Sequence, residues 1–543
     1  MKLRLVLSLA ILLCCSISTQ ATVRYIAQSA GTFSGGSACN GQTAITVATF
    51  DGLSLSPADT TYLCGTVSAP AGSSNYITIG QSGSAGNPIT LIFDTGAVLT
   101  ATYWSGAAIE FSGQNYIVIN GGTNGILQAT ANGIALANQV DAGIGVLCST
   151  SCSNDIVENL TIQNIFVRTC VGAESTCTSS AGGNTFGIYM WGGANDRITG
   201  NTVHDVHWTI VMLYGSGASN STFLRVDHNT VYNTDHGVIF GDQGSNYTAT
   251  GSNCSNSVDN NDISGFVAWD QSGDAFHHDG VHAWANNAPG SNYYVCIHDN
   301  YIHGAGGYFL NSFIFMESAS QSSFIFNNIL NLTANGNPGN CTGTGILGPA
   351  TGSPPGATGI SLGVYNNTVQ GYSTSFCEDI GVQEQTSPTL KNNIAMTAAQ
   401  YVYTASITSG MTFDYNLYFN TPNGFTGPCG GQVSFATWKA SCGEDAHSQI
   451  ANPNLSASFV PNSGSPAIGA GTNLTSLGIT ALDVGAPQTF GAGGSCGSGC
   501  LARSASGAWD VGAYPFISSL PAPATKMLVH ITKMFNFDFI EGF

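Results

Sequence analysis

Between Trp269 and Trp284 the chain carries Asp270, Asp274, His277, His278, Asp279 and His282. Two upstream stretches look alike: His207-Trp208 and Asp235-His236 each stand just ahead of an apolar strand pattern, as His278-Asp279 does. If the strands that follow are parallel neighbours, His207, Asp235 and His278 stack about 4.8 Å apart. Trp208, His236 and Asp279 then form the adjoining row. A carboxylate between two imidazoles raises their pKa, and an imidazole so held can act as general base or acid. On this reading His278 and Asp279 lead the acid–base chemistry, Asp235 orients a histidine, and His207, His236 and His282 complete the cluster. Tyr189, Trp191, Trp208 and Trp284 fall on the same strands and offer aromatic stacking surfaces. The plainer reading is that acids and histidines at a bend merely satisfy one another, since ion-pair networks shift pKa values without catalysing anything.

The same residues allow metal binding. Calcium prefers oxygen ligands, and Asp270, Asp274 and Asp279 are the candidates for it. His278 and His282 would lie about 13 Å apart on a straight strand, too far to share one ion. A zinc site would therefore draw on adjacent coils, for example Asp235 with His278. The short Cys-x₃-Cys pairs have no matching second pairs or histidines to make a zinc site of their own.

What must position these residues is a repeat. An alternating apolar stretch, an asparagine and a further apolar residue recur at Asn159, Asn201, Asn229, Asn261, Asn300, Asn328, Asn367, Asn393 and Asn416. The spacings are 42, 28, 32, 39, 28, 39, 26 and 23 residues. A fixed motif with variable intervals is what stacked coils produce when one corner bulges into loops. Inward asparagines at a bend would hydrogen-bond from coil to coil, and asparagine tolerates the left-handed backbone a bend can need. A second strand follows each asparagine, as in Gly187–Trp191, Thr209–Leu213, Gly237–Phe240, Gly280–Trp284, Ser312–Met316 and Ile380–Glu384. Its second position, mostly isoleucine, valine or phenylalanine, is expected to face inward. The expected fold is all-β, a right-handed parallel β-helix with an asparagine ladder. A β-sandwich would need regular short hairpin spacings, which are missing.

Lys2 and Arg4, the apolar run Leu5–Cys15 and the small residues up to Ala21 read as a signal peptide spanning 1–21. Removing it leaves 14 of the 16 cysteines, an even number that favours disulfides in an exported protein. Cys39 with Cys64 and Cys254 with Cys296 could tie neighbouring coils. Cys148 with Cys152, Cys170 with Cys177, Cys429 with Cys442 and Cys496 with Cys500 are close pairs. Charged residues make only 8% of the chain, against about 25% on average, so their concentration around His207–His282 calls for a reason. The net charge of −19 argues against nucleic acid and against polyanionic ligands unless calcium bridges them. No mature segment is long and apolar enough for a membrane span.

The repeats at 110–420 resemble the secreted right-handed parallel β-helix proteins, the class of pectate lyases and polygalacturonases. The closing motifs Asn452-Pro453-Asn454, Gly464-Ser465-Pro466-Ala467-Ile468, Asp483-Val484-Gly485-Ala486 and Asp510-Val511-Gly512-Ala513-Tyr514 resemble the C-terminal cap of such proteins. The resemblance implies a polysaccharide partner, with sugar rings stacked on the aromatic residues; the expected location is secreted, extracellular or periplasmic, and the expected state a monomer. It does not select an activity. Of the polygalacturonase motifs only Asn233-Thr234-Asp235 is present, and Arg197 and Arg225 read as bend or surface residues rather than a lyase base. Glu317 and Asp242 align two coils, or about 9.6 Å, apart, near the upper end of the roughly 6.5–9.5 Å between the acids of an inverting glycosidase. A one-residue slip would remove that coincidence. Two functions follow: a polysaccharide hydrolase or lyase using the Asp/His cluster, or a non-catalytic extracellular glycan-binding or adhesion β-helix. The expected organisation is 22–110 for the N-terminal cap and first coils, 111–420 for the helix, 421–516 for the last coils and cap, and 517–543 for a tail.

Overall fold

The computed structural model describes residues 21–131, 143–165, 185–214, 223–242, 254, 256–266, 277–285, 295–307, 310–317, 323–334, 343–348, 362–371, 378–383, 387–405, 407, 410–485 and 502–517. The chain is a right-handed parallel β-helix. Thirteen strands, from Val23–Ile26 to Thr412–Asp414, form one long parallel sheet, each paired with its equivalents one coil before and after. The other strands of each coil join a second, 24-stranded sheet around the far side. In two successive coils this part of the coil is one 13-residue strand, Thr202–Tyr214 and Thr230–Asp242.

The apolar alternation forms the core. One inward row runs through Val146, Ile188, Ile210, Val238, Val281, Ile314, Ile346, Ile380 and Val402, all fully or almost fully buried. Burying each such side chain contributes roughly 1.5–3 kcal/mol. The expected row ran through Phe313 and Gly381; the structure replaces them with Ile314 and Ile380. For Phe313 the cause is a register shift between His278 and Asp279: His278 pairs with Leu310, but Asp279 pairs with Ser312, so Asn311 is an extra residue. Ile380 enters the row through Ile346 of the intervening coil.

The ladder has eight asparagines. The Nδ2 of Asn201 donates to Asn229 Oδ1 at 3.0 Å, and the pattern continues through Asn261, Asn300, Asn328, Asn367 and Asn393 to Asn416. Asn159 is not among them. Its neighbour Leu160 occupies the ladder position and donates its backbone N–H to Asn201 Oδ1. Nor does the ladder residue itself take the left-handed conformation. The residue before it does: Asn159, Gly200, His228, Asn260, Asp299, Asn327, Asn366, Asn392 and Tyr415 all have φ between 51° and 67°.

Cys39–Cys64, Cys148–Cys152, Cys254–Cys296 and Cys429–Cys442 are disulfides. Cys170, Cys177, Cys496 and Cys500 lie outside the described residues. The closing segment runs along the flank of the coils. Asn366 Nδ2 donates to the carbonyls of Asp510 and Gly512, Asn392 exchanges bonds with the Thr472 backbone, and Ala513 donates to Thr368. No helix among the described residues is long and apolar enough to cross a membrane.

Candidate functional site

Three consecutive coils bring the cluster together. Trp208 pairs with His236 and His236 with Asp279, so the expected neighbouring rows form between these coils. Strand alternation breaks here. Val281 and Ala283 enter the core, while Tyr189, Val211 and Ile239, which pair in the His282 row, belong to a separate apolar cluster with Phe186 and Trp208. The change of facing falls at Gly187, Gly237 and Gly280, which share a column in which a Cβ would meet the next coil's carbonyl at 2.5 Å. Thr209 stands in that column between Gly187 and Gly237, and Phe313 follows Gly280. The turn lets Asp279 and His282, which a flat strand would put on opposite faces, converge.

Asp235 is fully buried and sits among three imidazoles. Its Oδ1 lies 2.5 Å from His278 Nδ1, and its Oδ2 lies 2.5 Å from His236 Nδ1 and 3.3 Å from His207 Nε2. Burial would raise its pKa, but the surrounding imidazoles hold it well below the carboxylate range. His278 is buried along with it. The imidazole that reaches solvent is that of its neighbour His277, whose side chain is 41% exposed.

Asp279 is the second hub. Its Oδ1 accepts from the backbone N–H of Ser312 at 3.0 Å and from Asn311 Nδ2 at 3.2 Å. Its Oδ2 faces His277 Nε2 at 3.0 Å, His236 Nε2 at 3.4 Å and His282 Nδ1 at 3.6 Å. Neither Asp279 Oδ2 nor His277 Nε2 makes an aligned hydrogen bond. The other nitrogen of His282 is 2.9 Å from Glu317 Oε2. Burial opposes protonation of His236, but Asp235 and Asp279 outweigh it and lift its pKa to about 9. For His282 burial prevails over Glu317 and Asp279, and the pKa falls. The ligand atoms of His236, His277, Asp279 and His282 all lie within 4.8 Å of one another, a set able to hold a metal ion.

Aromatic rings border this cluster. Phe186 meets Tyr189 edge-on at 4.9 Å and Trp208 at 5.7 Å, and Trp208 lies 5.4 Å from His236. On the opposite side Phe315 stacks on His282 at 4.9 Å and meets His277 at 5.7 Å. Trp191 and Trp284 share one pairing column through Leu213 and Gly241, three coils apart.

The remaining sequence expectations resolve variously. Asp270 and Asp274 lie outside the described residues. The Glu317–Asp242 alignment does not survive: Asp242 pairs with Ala285, while the shift at Asn311 leaves Glu317 one place before that column. Glu317 serves His282 instead. Arg197 and Arg225 form bidentate pairs with Asp227 and Asp259 of the following coils. His277 was not singled out as a ligand, although His277-x-Asp279-x-x-His282, in register with His236, contains the signal.

No protein family and no curated protein matches the sequence. Among solved structures the chain is similar to a family 6 polysaccharide lyase, Pedsa3628, from Pseudopedobacter saltans. The two share 12% identity at a TM-score of 0.45, covering 76% of this chain and 92% of that one. It is similar also to a mannuronic acid-specific family 6 lyase from human gut microbiota, with 14% identity, a TM-score of 0.42, and 76% and 86% covered. A third similar structure is the pectate lyase Pel9A, with 14% identity, a TM-score of 0.34, and 91% and 96% covered.

Proposed function

We propose that this chain is an extracellular carbohydrate-active protein, a polysaccharide hydrolase or lyase whose reactive centre is the outer-face cluster of Asp235, His236, His277, Asp279 and His282. The observation that carries the reading is continuity. A half-buried aromatic row, Tyr189–Phe186–Trp208, leads directly to imidazoles held by buried carboxylates, and His277 opens that cluster to solvent. Aromatic faces bind the apolar faces of sugar rings. Hydrolysis and elimination both need a positioned group that moves a proton, and an imidazole held by a carboxylate is suited to it. His207 and His278, buried against Asp235, fit a positioning role, and Trp191 and Trp284 would extend the sugar platform. The polysaccharide lyases among the similar structures fit this reading.

The test is incubation of the mature protein with neutral and acidic polysaccharides, following both reducing ends and the absorbance of unsaturated products. The expected result is cleavage of at least one polymer, lost in His277→Ala; unsaturated product identifies elimination. Tight binding without cleavage supports the glycan-binding alternative. Full activity in His277→Ala would remove this cluster from the chemistry.

A further inference from the structure

We propose that His236 Nε2, His277 Nε2, His282 Nδ1 and Asp279 Oδ2 hold one divalent transition-metal ion, with zinc the best match to their chemistry. The ion's part in carbohydrate chemistry rests on the function proposed above; its binding does not.

The distances fit. Zinc–ligand bonds of about 2.0–2.1 Å put the corners of a tetrahedron about 3.3 Å apart. The three edges that meet at Asp279 Oδ2 measure 3.0, 3.4 and 3.6 Å. The imidazole–imidazole edges lie within 4.8 Å, and small rotations of the half-exposed His277 can shorten its share of them.

The tautomers fit as well. His236 Nδ1 is 2.5 Å from Asp235 Oδ2, which keeps a proton on Nδ1 and directs the Nε2 lone pair toward Asp279. His282 Nε2 is 2.9 Å from Glu317 Oε2, which directs its Nδ1 lone pair to the same place. Two lone pairs and a carboxylate oxygen pointed at one spot repel each other unless a proton or a metal ion lies between them, and a metal ion can engage all of them at once. Asp279 Oδ2 and His277 Nε2 lack aligned hydrogen bonds, and an ion between them would give both a well-placed partner.

The surroundings are those of a built metal site. Metal-bound histidines characteristically give their other ring N–H to a carboxylate, and two of these three do. The second oxygen of Asp279 is fixed by Ser312 and Asn311. Three nitrogen donors disfavour calcium and magnesium, which take oxygen ligands, and suit zinc. Exposure of the His277 ring leaves a path for the ion, and with four protein donors in place a water or sugar oxygen would join as a fifth ligand. Bound zinc there would acidify that water or polarise that oxygen.

The experiment uses the full mature protein, stripped with a chelator, dialysed against zinc and measured for metal by mass spectrometry. Cobalt is loaded in parallel for its visible spectrum. The proposal expects one tightly bound equivalent, four- or five-coordinate cobalt bands, and no displacement by excess calcium. His277→Ala, at the exposed position, should still fold and lose at least about tenfold in zinc affinity. His282→Ala, checked by circular dichroism, should lose the cobalt bands. No bound equivalent in the folded wild type overturns the proposal, as does unchanged affinity in both variants. Metal bound at this site with no polysaccharide cleaved upholds it while removing the function proposed above. Cleavage by a protein that binds no metal does the reverse.

Discussion

Asp235→Asn tests whether one buried carboxylate sets the chemistry of the whole cluster. The aspartate offers both oxygens as acceptors: Oδ1 to His278 Nδ1 and Oδ2 to His236 Nδ1, each at 2.5 Å. Asparagine keeps the shape but has only one accepting oxygen. Its amide nitrogen must face one of the two Nδ1 atoms, and that ring has to move its proton to Nε2. For His236 the displaced proton would sit on the atom 3.4 Å from Asp279 Oδ2, the proposed ligand atom. Charge-assisted hydrogen bonds contribute about 1.5–3 kcal/mol each and neutral ones about 0.5–1.5 kcal/mol. Replacing two of the first kind with at most two of the second costs about 2–3 kcal/mol at neutral pH. Loss of a histidine's outer partner lowers metal affinity about 10–100-fold. Urea unfolding reads the first quantity, and competition with a chromophoric chelator reads the second. A variant less stable by the stated amount, with zinc affinity equal to wild type, would refute the argument that Asp235 orients His236. A variant as stable as wild type would refute the claim that its two short bonds are charge-assisted.

Three further outcomes are expected. Asn300→Ala removes the donor to Val258 O and Asn328 and the acceptor for Asn261, so buried groups in the two neighbouring coils lose a partner. It should cost about 2–4 kcal/mol in urea unfolding, and a loss below half that would mean the ladder relaxes around the gap. Asp155 lies buried beside Asp196, and burial followed by that neighbour lifts its pKa to about 9, while burial lifts Asp196 to about 8. Both bind protons more tightly folded than unfolded, so their contribution is fully present below about pH 4 and is lost as pH rises through 8–9. Asp155→Asn should therefore flatten the melting temperature's decline between pH 5 and 9 and melt higher than wild type at pH 8; a lower melting temperature there contradicts the assignment. Tyr189→Ala should raise KM on any cleaved polysaccharide about two- to tenfold with kcat little changed, and an unchanged KM would take Tyr189 out of the sugar platform.

The parts of this molecule that could be read from its sequence are those that repeat. Asparagine spacings define the coils because each ladder residue meets the same neighbour above and below, so chance matches do not persist over eight coils. The adjoining rows His207–Asp235–His278 and Trp208–His236–Asp279 follow from the same periodicity, since parallel pairing carries one residue's position into the next coil. What stayed hidden are single-residue events. The extra Asn311 shifts everything after it by one place, which moves Ile314 into the core and Glu317 from Asp242's column to His282. The change of facing at Gly280 brings His282 to Asp279, and a strict two-residue alternation forbids that contact. The left-handed residue precedes the ladder position whether that position holds an asparagine, as after Gly200, or Leu160, as after Asn159, so the bend does not depend on the asparagine side chain.

These hidden events lie at the proposed metal site, for a geometric reason. Regular coils separate equivalent atoms by about 4.8 Å, wider than the roughly 3.3 Å between ligands on one zinc ion. One column can supply two donors, since the side chains of His236 and Asp279 converge to 3.4 Å, but a site with four donors needs more than one column. It needs a donor from one coil and several from the next, with the second strand turned so that residues two and three apart point inward to one spot. His236 supplies the first requirement, and His277, Asp279 and His282, bent around Gly280, supply the second. The register shift at Asn311 then brings two hydrogen-bond donors to the outer oxygen of Asp279 and Glu317 to His282. Deleting Asn311 should restore the regular register at the cost of both contacts. The deletion variant is therefore expected to keep a β-helix circular dichroism spectrum while losing zinc affinity. Retained affinity in that folded variant would show that the bulge is incidental to the site.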